Sequence, residues 1–404
     1  MDCFVAPLLA MTDWEAQVKR INIGVRPDWR EVAEREGFTF HYMDGELYWD
    51  ESACYAFTLE EIERDLEAPT EELHAMCLDL VAEAVTSDAL MARLAIPEEQ
   101  RTFVAETWRL QSPSLYGRFD FAYDGNGPAK LLEYNADTPT SIYETGYFQW
   151  SWLEARIADG ALPADADQFN SLHEKLITRF GAMFLPRSYV HFASDADHPE
   201  DRQTVRYLED LAGQAGLLPK FVAIDRIGVD ADGRFVDQHG VIVTAIFKLY
   251  PWEDMFREPY APGLMRSGAM FIEPPWKAIL SNKAMLPLLW ERHPGHPNLL
   301  PAFFDGDPRA AELGSSYVRK PFFSREGWDL ELVDGGAREE GPRGGYGEEG
   351  HILQALAPLS CIDGNYAVLG SWIVGEEAAG LSVREDKSRI TRNVSRFLPH
   401  VILD

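Results

Sequence analysis

The stretch from Tyr116 to Asn135, YGRFDFAYDGNGPAKLLEYN, constrains the fold of this chain most, because its pattern admits little besides a β-hairpin. Apolar and polar residues alternate around a turn signal, Asp124-Gly125-Asn126-Gly127, and successive side chains of a strand point to opposite faces. Arg118 and Asp120 therefore share a face. A four-residue loop would set Arg118 opposite Glu133 and gather Arg118, Asp120, Glu133 and Asn135 together, leaving Phe119, Phe121, Leu132 and Tyr134 on the other side. Two carboxylates and an amide oxygen are hard donors that suit Mg²⁺, and a guanidinium beside them suits a phosphoryl group in transfer. The same types also describe a solvated hairpin face with an ordinary Arg–Glu cross-strand pair, so residue identity alone leaves both open.

At 404 residues the chain has room for two or three domains, and its 46% hydrophobic content is that of a globular protein. Lys and Arg number 37 against 66 Asp and Glu, a net charge of -29. Such a surface repels nucleic acid and anionic membranes and welcomes a cationic small molecule, although acidity also simply keeps a protein soluble. Cys3, Cys54, Cys77 and Cys361 are widely spaced, which indicates neither a zinc site nor a disulfide framework and fits a reducing compartment. The opening MDCFVAPLLAMTDWE has an apolar run but no basic flank. No other apolar stretch reaches the roughly 18 residues of a membrane helix, so a cytoplasmic location is expected.

Along the chain, Thr58 to about Val85 has a helical pattern, with Thr58 and Glu61 as a capping box and Pro69 dividing the segment in two. Thr138 to Glu154 and Asp167 to Phe180 also read as helices, placed to pack the hairpin. A βαβ unit follows, with a strand at SYVHFAS from Ser188, a helix from Thr204 to Ala215 and a strand from Lys220 to Asp225. The apolar run Val241 to Tyr250 extends the same sheet, and no glycine fingerprint marks it as dinucleotide-binding. Ser315 to Phe322, Trp328 to Val333, His351 to Leu356 and Tyr366 to Val374 read as antiparallel strands, with Asp334 to Gly350 as an exposed loop.

Lys320 precedes a tight Ser324-Arg325-Glu326-Gly327 loop whose backbone amides could cover phosphates, with Lys320 and Arg325 countering their charge; a surface hairpin with two stray basic residues is the other reading. Lys283 follows Ser281 or Asn282 as a helix N-cap, a position that favours an anion but equally suits a solvated lysine. Glu253 lies at a strand end and Gln354 interrupts an apolar strand. The first either caps a turn or meets a ligand, and the second either bonds within the core or presents its amide to a base. His293 and His296, interrupted by prolines, read as loop residues. No GxSxG or HExxH motif occurs.

LLEYNADTPTS at Leu131 to Ser141, GRFD at Gly117 to Asp120, SNKAMLPLLW, KPFFSREGWDL and GSWIVGEEAAGLSVREDKSRITRN appear in one order that resembles the synthetase part of glutathionylspermidine synthases across nearly the whole chain. The resemblance implies an α/β architecture of the ATP-grasp type. Within the ligase unit 1–404, residues 1–185 would carry helices and the metal-binding hairpin, 186–280 a PreATP-grasp-like α/β section, and 281–404 the nucleotide-clamping lobe. It implies an ATP-dependent acid–amine ligase acting through an acyl-phosphate, with Asp120, Glu133 and Asn135 holding two Mg²⁺ ions and Arg118 stabilising the γ-phosphoryl group. Lys283, Lys320, Glu326, Gly327, Gln354, Ala355, Leu356, Ala357 and Ile390 would bind ATP together with Arg118 and Asp120. Substrate contacts would come from Thr138, Thr140, Arg325 and Arg384, and the acidic Glu253 is a candidate to receive the amine. The resemblance points to glutathione or a related peptide as the acid and a polyamine as the amine, but Thr138 and Thr140 stand where relatives place serines and Leu249 where they place threonine, departures that leave the ATP chemistry intact and glutathione open; a ligase for a different acid and amine pair is the alternative. An idle nucleotide-binding protein of the same fold is a further reading. The bifunctional relatives' amidase is not expected at the start of this chain.

Overall fold

The computed structural model describes residues 18–403. Cys3 and the apolar run at the start of the sequence lie outside them. Tyr116–Ala122 and Lys130–Asn135 pair antiparallel, as alternation requires, but in a different register from the expected one. Arg118 faces Asn135 and Asp120 faces Glu133; the ladder then slips, so that Phe121 faces Leu131. Leu132 is the extra residue of a β-bulge. The turn signal is not a tight hairpin loop, because the strands end at Ala122 and resume only at Lys130. Arg118, Asp120, Glu133 and Asn135 still share one face. Behind them Leu131, not Leu132, joins Phe119, Phe121 and Tyr134 in the core, while Leu132 turns to a cleft.

This hairpin is one side of a six-stranded sheet completed from the far end of the chain. Asn365–Val374 pairs antiparallel with Tyr116–Ala122, placing Gly370 opposite Asp120 and Trp372 opposite Arg118. Glu377–Asp386 and Arg396–Leu398 continue the sheet. A second sheet is antiparallel, in the order Ala302–Phe304, His351–Ala355, Tyr317–Pro321, Glu331–Asp334, Ala337–Glu340. Its last strand lies in the stretch expected to be loop, because Gly335 and Gly336, both at positive φ, turn the chain back on Glu331–Asp334. The third sheet is parallel: Met270–Ile272, Ala245–Lys248, Tyr189–Ser194 and Leu218–Ala223, with the crossover helix Pro199–Gln214. Lys19–Asn22, Ala53–Phe57 and His400–Ile402 form a fourth, joining the two ends of the described chain.

Thr58 caps its helix reciprocally with Glu61, the amide of each meeting the side chain of the other at 2.8 and 3.2 Å. Pro69 does not divide this helix. A π-helical turn at Ile62–Glu67 precedes Ala68–Ala84, and Pro69 sits in the first turn of that segment, where a missing N–H costs least. The helix lies behind the hairpin, with His74 Nδ1 3.2 Å from the Tyr134 hydroxyl and Phe119 stacked on Tyr134 at 3.8 Å. The expected helix from Asp167 starts only at Leu172, because Asp167 and Asn170 bridge instead to Ile402 and Gly380. Among the described residues no helix is long and apolar enough to cross a membrane.

Candidate active site

The start of the hairpin is fixed from below. Glu273 accepts the backbone amides of Leu115 and Tyr116 at 2.9 and 3.0 Å, and Lys277 donates to the Tyr116 carbonyl at 2.7 Å while pairing with Glu273. Both charges are buried, and a buried pair with its remaining hydrogen-bonding positions satisfied holds one backbone geometry. Two residues on, the Arg118 guanidinium binds Asp120 with both forks, Nε to Oδ1 at 2.6 Å and NH2 to Oδ2 at 3.1 Å, and gives NH1 to the Thr140 carbonyl at 2.9 Å. Its stem crosses the neighbouring strand over Gly370. A Cβ at residue 370 would stand 2.7 Å from Arg118 Cδ and closer still to Ser382 Oγ, so only glycine leaves that path open.

Asn135 Nδ2 bridges the two carboxylates, 3.0 Å from Asp120 Oδ2 and 3.2 Å from Glu133 Oε1. The other Glu133 oxygen meets Lys283 Nζ at 3.0 Å, and Lys283 also donates to the Ser324 carbonyl at 2.5 Å. Lys320, nearly fully buried, donates to the carbonyl of bulged Leu132 at 2.9 Å. The register slip thus supplies the acceptor that holds this lysine. Burial pushes the Glu133 carboxyl up, but Lys283 and Lys320 outweigh it and hold the group down to about 2. Burial raises Asp120 against the pull of Arg118. Lys320 itself is pushed down to about 8 by burial, with Lys283 adding to the shift and Glu133 opposing it. Three cations therefore surround two acids, a charge balance suited to an anion.

Of these groups Asp120, Glu133, Lys283 and Lys320 line a cleft of about 510 Å³ between the hairpin and the antiparallel sheet, a size usual for small-molecule sites, while Arg118 and Asn135 are bonded to the two acids from outside its lining. Val318, Leu332, Leu356, Val368 and Ile390 make its other end apolar. Gln354, Ala355 and Ala357 line it, and Gln354 Nε2 donates to the Leu131 carbonyl at 3.0 Å, so this amide bonds within the fold. Glu326 and Gly327 close over the cleft; Gly327, at φ +71°, would put a Cβ 2.5 Å from Ile390 Cγ2 and 2.7 Å from the Thr391 carbonyl. Lys283 precedes the helix Met285–Arg292, but neither expected residue caps it: the N-cap is Ala284, with no side-chain cap, and Asn282 instead accepts the Ala284 amide at 2.9 Å in the turn before the helix.

The remaining expected residues lie outside the main cleft or at its edge. Arg325 pairs with buried Glu253, which sits in the short helix Trp252–Met255 and not in a turn cap. Thr138 lines a small niche beside Glu133. Thr140 uses its hydroxyl on buried Glu200. Arg384 binds the carbonyls of Arg392, Asn393 and Ser395 at 2.8 to 3.0 Å and lies 5.1 Å from the Tyr48 ring centroid. Sequence reading passed over Glu144, which takes the Tyr48 hydroxyl at 2.6 Å and is pushed up to about 7 by burial and by Glu200. It read Ser281 only as a cap candidate and Ser324 only as part of a loop, whereas the buried hydroxyls of both have no partner. Among the described residues no group of three or more His, Cys, Asp or Glu side chains is placed to hold a metal; the cluster here is two carboxylates and an amide.

Residues 20–403 match the family model described as glutathionylspermidine synthase preATP-grasp. The chain belongs to the glutathionylspermidine synthase family. The synthetases of this family are ATP-dependent acid–amine ligases. A putative acid–amine ligase of Haemophilus influenzae is 39% identical over 391 residues, covering 93% of this chain and 97% of its own. Trypanothione synthetase of Crithidia fasciculata is 31% identical over 351 residues, and the bifunctional glutathionylspermidine synthetase/amidase of Escherichia coli 28% over 392. These matches cover 81% and 89% of this chain but only 53% and 61% of the two longer relatives. The solved structure of a glutathione synthetase-like effector from Globodera pallida superposes with a TM-score of 0.50 at 12% identity, over 94% of this chain and 98% of that one, so the shared feature is the ATP-grasp fold.

Proposed function

We propose that this protein activates a carboxylic acid with Mg-ATP and transfers the acyl group to an amine, the acid being a small carboxylate or peptide and the amine a cation of the polyamine type. The observation that carries this reading is the meeting of Asp120, Glu133, Lys283 and Lys320 on one cleft with an apolar remainder, with Arg118 bonded to Asp120 and Asn135 to both acids. Two carboxylates, with the Asn135 amide turned so that its oxygen replaces Nδ2 beside them, would offer only oxygen donors, which fit Mg²⁺ with water and substrate phosphates as its other ligands. Asp120, Glu133 and Asn135 would hold it, the triphosphate bringing the negative charge that the three cations and the metal together require. Bound there, the metal would neutralise charge on the terminal phosphates.

The base would lie in the apolar end beside Gln354 to Ala357 and Ile390, with Glu326 and Gly327 over the phosphates. Lys283 would exchange Glu133 for a phosphate oxygen, and Lys320, held on the Leu132 carbonyl, would turn its other protons to the phosphates. The acid's carboxylate would attack the γ-phosphorus, forming a C–O–P acyl-phosphate as ADP leaves, while Arg118 stabilises the charge that moves between carboxylate and phosphoryl oxygens. The amine would then attack the acyl carbon, expelling phosphate and losing a proton as the amide forms. Thr138, Thr140, Arg325 and Arg384 would face the acid, and Glu253 an ammonium group. The net charge of -29 favours a cationic amine over an anionic one.

The test is ADP release with Mg-ATP across acid and amine pairs, the product being read by mass spectrometry. The active pair is expected to give an amide, and Arg118→Met to keep nucleotide affinity while losing on the order of 100-fold in kcat, about 2.7 kcal/mol. Nucleotide binding without turnover on any pair would favour an idle binder of this fold, and near-parental kcat in Arg118→Met would remove its assigned role.

A further inference from the structure

A second, smaller cavity of about 20 Å³ is bordered by Glu133, Asn135, Thr138, Ser281 and Lys283. Of its lining residues only Glu133, Lys283, Ser324 and Arg325 are shared with the main cleft, and none of Gln354 to Ala357 or Ile390 reaches it. It therefore meets the cleft at Glu133 and Lys283, toward which, on the ATP reading, the distal phosphates would point. Two hydroxyls border it without a hydrogen-bond partner: Ser324 Oγ, on a residue only 2% exposed, and the buried Oγ of Ser281.

An orphaned buried hydroxyl costs stability, so two on one cavity call for a ligand. The carboxylates on this niche are already neutralised. Glu133 is held by Lys283 at 3.0 Å, and Asp137 by Lys248 at 2.6 Å and by the Trp252 amide at 2.9 Å. The free groups are thus hydroxyls, each able to donate to an anionic oxygen, and the volume admits one oxygen-sized group. Ser324 is fixed from the other side, because its carbonyl accepts from Lys283 Nζ.

We propose that the hydroxyls of Ser324 and Ser281 receive an oxygen of the phosphoryl group under transfer, and so favour nucleoside triphosphate over diphosphate. This rests on the ATP reading of the cleft. Calorimetry of Mg²⁺ complexes with the β,γ-imido analogue of ATP and with ADP, on parent, Ser324→Ala and Ser281→Ala proteins, tests it. Ser324→Ala is expected to weaken the triphosphate analogue by roughly 5- to 10-fold and leave ADP unchanged, with Ser281→Ala acting in the same direction. The melting temperature of the nucleotide-free protein should hold or rise, since alanine removes an unpaired polar group. Equal weakening of both nucleotides, no change in either (a water only in the niche), or a lower melting temperature would overturn the assignment. A parent that bound neither nucleotide would instead remove the ATP reading, and this one with it.

Discussion

Lys320 is the residue whose surroundings set the clearest pH dependence. Burial has pushed its ammonium down to about 8, so part of the population in the unliganded protein is neutral near that pH. Phosphate oxygens favour the charged form and would raise the group back toward its ordinary value. Binding should therefore take up a proton, and affinity should fall as pH rises above about 8. Calorimetry of Mg-ATP at about pH 8.5 in two buffers of different ionisation enthalpy should show this uptake, and Lys320→Met should abolish it. An uptake retained in the variant would place the titrating group elsewhere. At this scale the acids and amide of the hairpin were legible, because alternation along a strand fixes which side chains share a face. Glu144, Ser281 and Ser324 were not. Their meaning lies in burial and missing partners, and the groups around Glu144, Tyr48 and Glu200, come from distant segments.

Among the elements, the capping box at Thr58 and the βαβ unit could be read directly, since each rests on neighbours in sequence. The hairpin register could not. One extra residue, Leu132, shifts the pairing, and no local signal marks a bulge in a run as uniform as KLLEY. The consequence is chemical as well as geometric, because the bulged carbonyl is the one that holds Lys320. The strand opposite the hairpin matters as much. Gly370→Val would press on Arg118 and on Ser382, and overpacking of this kind costs about 1 to 3 kcal/mol. The variant should show a lower denaturation midpoint, and turnover should fall further than affinity for Mg-ATP, since the displaced group is Arg118 and not the phosphate lysines. A variant as stable and active as the parent would show that the strand yields without moving the guanidinium.

At the scale of the whole molecule, composition bounded the fold class, and the order of the motifs pointed to the family, but the way the sheets close could not be read. Strand pairing across most of the chain leaves no periodic trace, so the partnership of Asn365–Val374 with Tyr116–Ala122 appeared only in the structure. Cutting the chain after Ile362 would remove the strands from Asn365 onward and with them the inner neighbour of the hairpin. That shortened protein should lose cooperative unfolding and the hydrogen-exchange protection of the Phe119 and Tyr134 amides; persistent protection there would show that the hairpin folds without its partner. The same closure bears on biosynthesis. A polypeptide leaves the ribosome from its N-terminus, so the acids of the hairpin emerge long before the strand that must lie beside them. Translation must run past Thr391 before the pocket can exist, and a nascent chain stalled early would expose its aromatic strand edge to chaperones instead of to nucleotide.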